Sequence, residues 1–130
     1  MASVHLNGKD FPLRYTIRDG IELRKRLDRP GIQIMADISG GMDGVQRLAF
    51  DIEALIVSIQ VGIRHIREAS TDLLEKWVQA HVDGDKKLGD LINPVVEAML
   101  EGGCWGYKRQ AIEAADEAES SEGKVETPTN

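Results

Sequence analysis

Apolar residues recur at steps of three and four between Val45 and Ile66. Val45, Leu48, Ile52, Leu55, Ile59, Gly62 and Ile66 form one row, and Ala49, Ile56 and Ile63 widen it on one side. Arg47, Asp51, Glu53, Ser58, Gln60, Arg64 and Arg67 fall mostly off that stripe. This is the 3.6-residue period of a helix with a broad apolar face. The alternation of a strand is absent. The pattern predicts a helix of about six turns, apolar enough to serve as the central core helix of a bundle.

The flanking patterns predict smaller elements. Val4-His5-Leu6 and Phe11-Pro12-Leu13-Arg14-Tyr15 enclose Asn7-Gly8-Lys9-Asp10, which reads as a β-hairpin over about residues 4–15. Both residues of an Asn-Gly turn tolerate positive φ, and Pro12 confines its strand to an edge or an offset start. Thr16 is placed to cap a helix, with Asp19 three residues on to complete a capping box. Ile17, Ile21, Leu23 and Leu27 supply that helix with a short apolar face, and Pro30-Gly31 ends it. Residues 32–38 mix strand alternation with helix formers, and are read as a short helix or an extended segment packed on the core. Ser39 to Gly44 is a connection.

Ser70 or Thr71 starts the next helix, with Asp72 and Glu75 in the first turn, where negative charge meets the positive end of the helix dipole. Leu73, Leu74, Trp77, Val78 and His81 or Val82 form its buried side, and Asp83-Gly84-Asp85 breaks the pattern. Leu88, Leu91 and Ile92 give a short helical turn. Asn93-Pro94 predicts a new helix start, with Pro in the first position. Val95, Val96, Met99 and Leu100 are its face, and Gly102-Gly103 its stop. Past Trp105 a thin stripe of Tyr107, Ala111, Ile112 and Ala115 runs among charged residues. After Glu119 the period disappears, and residues 120–130 are expected to form a disordered acidic tail. The expected fold is mainly α: a single-domain helical bundle over residues 1–119, built around a long central helix, with a small N-terminal hairpin.

Composition narrows the function classes. A chain of 130 residues fits one domain. No apolar run is long enough to span a membrane, and residues 1–20 lack the apolar core of a signal peptide. The lone Cys104 excludes an internal disulfide and fits a reducing compartment. The net charge of -6 falls almost wholly after residue 112, on Glu113, Asp116, Glu117, Glu119, Glu122 and Glu126 against Lys124. An acidic balance argues against a nucleic-acid binder. The basic cluster Arg18, Arg24, Lys25, Arg26 and Arg29 is interrupted by Asp19, Glu22 and Asp28, and reads as a solvated helix face.

Candidate chemistry is thin. Ser39-Gly40-Gly41-Met42-Asp43-Gly44 suggests a phosphate loop, yet lacks the third dinucleotide glycine and the P-loop Lys-Ser/Thr. His5, His65 and His81 belong to no ligand pair, and Cys104 has no base beside it in sequence. No catalytic residue, metal site or cofactor is expected, and an enzyme ranks last. Trp105 and Tyr107, after the Gly-Gly hinge and in line with Ala111, Ile112 and Ala115, have two readings. They are buried helix anchors, or a partner-binding surface of the kind enriched in aromatic residues.

The order of these elements resembles the tail assembly chaperones of long-tailed bacteriophages over roughly residues 4–112. The resemblance is carried by four features. They are the hairpin running into the helical segment Ile17 to Lys25, the apolar helix closing in Gly62-Ile63-Arg64-His65, the Ser70-Thr71 start that follows, and the helix started by Asn93-Pro94. It implies a non-enzymatic morphogenetic factor of the host cytoplasm that coats the tape measure protein, recruits tail tube subunits, self-associates, and is missing from the mature virion. Lambdoid members are made in two forms through a programmed frameshift. Glu122-Gly123-Lys124 is compatible with the slippery run GGGAAAG, which makes Gly123 and Lys124 the candidate frameshift site. The competing expectations are a minor tail or head–tail joining component of the virion, and a small helical regulator or adaptor.

Overall fold

The N-terminal hairpin forms as its turn signal requires. In the computed structural model, which describes residues 2–40 and 50–106, β1 (Ser3–Leu6) pairs antiparallel with β2 (Lys9–Pro12). The register sets Val4 opposite Phe11 and Leu6 opposite Lys9. Asn7 and Gly8 both take positive φ, 54° and 75°. Val4, Leu6 and Phe11 point inward. Two strands alone are marginal, and this pair leans on helices. Phe11 stacks on Trp77 with centroids 5.6 Å apart, and the Arg67 guanidinium lies over the other partner of that stack.

Five helices follow among the described residues: α1 (Ile17–Leu27), α2 (Gly31–Ser39), α3 (Ile52–Ile63), α4 (Thr71–Asp83) and α5 (Gly89–Gly102). The capping box predicted at Thr16 is formed, with the Thr16 hydroxyl accepting from Asp19 N–H and the Asp19 carboxylate accepting from Thr16 N–H. Ser70 caps α4 by accepting from Leu73 N–H at 3.1 Å. Gly103 closes α5 with a left-handed φ of 58°, which glycine adopts without strain.

α3 is the hub, packing against α1, α2, α4, α5 and β2. Leu55, Ile59 and Ile63 are fully buried along it. Its bounds differ from the expected Val45–Ile66. Asp51 caps the helix, its Oδ1 accepting from Glu53 N–H and Ala54 N–H, so the helix starts at Ile52. Residues 45–49 lie outside the described residues. At the other end Arg64 and Ile66 bond back to Val61 and Ile63 in tight turns, and Ile66 is exposed.

One open reading is decided and two further expectations are corrected. Residues 31–39 are helical throughout, which decides between the two readings of that stretch, with Pro30 as the cap residue. Pro94 does not begin a helix but lies inside α5, which starts at Gly89. The proline forgoes one backbone bond, yet Leu91, Ile92 and Val95 on either side are fully buried and hold the helix continuous. On α1 half of the expected apolar face is buried and half is not. Leu23 is fully buried and Leu27 packs on the core, as expected, while Ile17 and Ile21 are exposed, 65% and 47%, and Asp19 and Gly20 are buried in their stead.

Candidate functional site

The exposure of Ile17 and Ile21 on α1 has a local cause. A Cβ on Gly20 would stand 2.3 Å from the Cys104 carbonyl oxygen, so only glycine admits the close approach of α1 to the segment after α5. Trp105 seals the approach, its indole Nε1–H donating to the Gly20 carbonyl at 2.9 Å while its ring covers Gly31. Beside them Asp19 receives Nε of Arg64 at 3.1 Å and a second bond from its Nη2. Burial pushes the Asp19 carboxyl up, but the Thr16 N–H and hydroxyl and the Arg64 guanidinium outweigh it and hold the acid below its ordinary value. With Asp19 and Gly20 turned inward, α1 offers Ile17 and Ile21 outward, and Ile32 of α2 joins them at 55% exposure.

The basic cluster divides in two. Arg29 Nη1 donates to Asp37 at 2.6 Å and to Asp51 at 3.0 Å, and Gln33 adds a bond to Asp37. Arg26 is held by Glu22 and by Gln60. These two are structural clamps. Arg18, Arg24 and Lys25 are exposed and make no salt bridge among the described residues. The expected solvated face is therefore smaller than the sequence cluster.

An apolar hollow lies between α3 and α4. It holds about 420 Å³ and is lined by Ile52, Ile56, Val57, Val78, Val82 and Leu88, with Glu53 and Glu75 on its walls. None of its lining residues is cationic. Ile52 and Val82 stand 41% and 43% exposed at its mouth. Helical spacing explains the lining: Ile52, Ile56 and Glu53 lie on one side of α3, and Thr71, Glu75, Val78 and Val82 follow one stripe of α4. Sequence periodicity finds these apolar residues except Val57 but assigns them to the core. What it misses is that the two stripes line an open hollow.

The chemistry-bearing residues are scattered. His5 meets Asp10 on the exposed hairpin. His81 is buried, its Nε2–H donating to the Lys87 carbonyl at 2.8 Å. Burial pushes the Cys104 thiol up to about 12, so it stays protonated near neutrality. Tyr15 is raised likewise, chiefly by burial, and its hydroxyl donates to the Ser58 carbonyl at 2.6 Å. Among the described residues no group of three or more His, Cys, Asp or Glu side chains is disposed to hold a metal. No helix there is long and apolar enough to cross a membrane.

Of the candidate partner-binding residues, Trp105 is half-buried and serves as an internal anchor through Gly20 and Gly31. Tyr107, Ala111, Ile112 and Ala115 lie outside the described residues, as do Gly123, Lys124 and the tail 120–130. No protein-family model, curated protein or solved structure matches this chain.

Proposed function

We propose that this chain is a non-enzymatic tail assembly chaperone of a long-tailed bacteriophage. It acts in the host cytoplasm, binds the tape measure protein, recruits tail tube subunits, and leaves before the virion is complete. The resemblance in element order supports the family. The hollow between α3 and α4 is the observation that carries the binding role.

An open apolar groove walled by two helices is suited to the apolar face of a third. Its acidic walls, Glu53 and Glu75, favour a helix whose apolar residues are flanked by Lys or Arg. A tape measure protein, long and helical, offers many such faces. Self-association along that partner would let several copies cover it.

The test is co-expression of the full chain with the tape measure protein of the same phage. Ile52→Asp with Val82→Asp alters two exposed side chains at the groove mouth and leaves the core intact. The double variant is expected to keep wild-type helicity and to lose most of the solubilised tape measure protein. Solubilisation at the wild-type level would overturn the groove as the binding site. Recovery of the chain from purified particles would overturn the chaperone role in favour of a virion component. A slippery heptamer at codons 122–124 would add independent support.

A further inference from the structure

Six large hydrophobic side chains are exposed among the described residues, and three of them, Ile17, Ile21 and Ile32, gather on one side of α1 and α2. Two hollows run along this side. One, of about 380 Å³, reaches from Trp105 and Gly106 past Ile17 and Ile32 to Ile21. The other, of about 530 Å³, continues past Arg24 and Lys25. Asp28 and the paired Arg29 also stand on its wall, so that two cations unpaired among the described residues face one carboxylate there. Ile21, Arg24 and Pro30 belong to both, so the two form one continuous trough. It is apolar near Trp105 and basic at its far end.

The described chain ends in this trough, because Gly106 is part of its wall. The residues that follow match the trough in order. Tyr107, Ala111, Ile112 and Ala115 repeat at helical spacing, and Glu113, Asp116, Glu117 and Glu119 follow toward the end of that stripe. As a helix, residues 107–115 would extend about 13 Å, comparable with the distance along α1 from Ile17 to Lys25. A segment leaving Gly106 along the trough meets isoleucines first and basic side chains last. After Lys108 and Arg109 near its start it carries Ala111 and Ile112 and then four acidic residues by Glu119, the complementary order.

We propose that the segment from Tyr107 to Glu119 is the intramolecular occupant of this trough. Ile112 seats against Ile21 and Ile32, and the acidic residues after it face Arg24 and Lys25. The chain thereby covers its own isoleucine face, and an outside partner must displace the segment to use it. The assignment goes beyond the chaperone reading and stands whether or not the α3–α4 groove binds a tape measure protein.

The experiment is methyl NMR on the full chain with labelled isoleucines. Nuclear Overhauser contacts are expected from the Ile112 δ1 methyl to those of Ile21 or Ile32. In Ile112→Asp, the Ile17, Ile21 and Ile32 methyl signals should shift while those of Ile59 and Ile63 stay in place, which controls for folding. Absence of the contacts together with unmoved Ile21 and Ile32 signals in the variant overturns the proposal. A mixed sample of labelled and unlabelled chain separates the occupants. Contacts that survive an isotope filter for intermolecular pairs would assign the trough to a second copy and overturn it equally.

Discussion

Helices α1 and α3 pack against each other, yet they are held by opposite means. α3 buries Leu55, Ile59, Val61 and Ile63 and is enclosed on most sides. α1 keeps Ile17 and Ile21 outside and turns Asp19, Gly20 and Leu23 inward. One helix is positioned by apolar area throughout, the other by Leu23 and Leu27 at one end and by a missing side chain, a capping carboxylate and a cross-helix arginine at the other. A hydrophobic stripe therefore locates a helix that its neighbours surround. It misplaces the first turns of a helix whose contact there is polar and close.

The sharpest way to break this comparison is to remove the same side chain from each helix. Ile59→Ala should cost about 3–4 kcal/mol, the middle of the range for a buried aliphatic truncation. Ile21→Ala, covered by the proposed Tyr107–Glu119 segment alone, should cost about 1 kcal/mol. Urea midpoints of the two variants decide it. A loss at Ile21 as large as that at Ile59 would break the comparison.

Next in size is Gly20→Ala. The added methyl meets the Cys104 carbonyl at 2.3 Å and the Trp105 indole nitrogen at 2.9 Å. Backbone must shift, so a loss of about 2–3 kcal/mol is expected despite the better helix propensity of alanine. Thermal unfolding followed by circular dichroism would measure it.

The smallest effect concerns Asp19. Its folded-state acid strength is raised, that is, its pKa is lowered, so its contribution to stability is complete above the ordinary aspartate value of about 4. It is lost as the pH falls through the lowered folded value. Asp19→Asn should therefore cost about 1–2 kcal/mol at neutral pH and flatten the acid limb of stability below about pH 4. Asp51, also lowered despite burial through Ala54 N–H and Arg29, keeps part of that limb in the variant. An unchanged acid limb would mean that the Arg64 pair contributes nothing.

The local signals in the sequence were read correctly where they acted on backbone alone. Asn7-Gly8, Thr16 with Asp19, Ser70 and Gly103 sit where turn and cap chemistry place them. The misplacements arose where side chains from distant segments decided the outcome. Asp51 is drawn into the Arg29 cluster and stops α3 short of its apolar pattern. Burial on both sides of Pro94 overrides a strong start signal. Gly20, an isolated glycine within a helical pattern, was the one available hint of the close crossing at Cys104. For the candidate surfaces, Ile52, Ile56, Val78, Val82 and Leu88 of the α3–α4 groove fall on the predicted apolar stripes, while Val57 and the polar Glu53, Thr71, Glu75 and Gln79 do not. That the apolar ones line an open hollow depends on how two helices pack, which no single periodicity contains.

The cluster around Arg29 has a consequence for how much change the chain tolerates. Its guanidinium joins Asp37 to Asp51, and the Asp51 N–H reaches the Asp37 carbonyl at 3.1 Å. One guanidinium therefore holds the end of α2 and the cap of α3 together, so Arg29→Ala would release both helix ends at once.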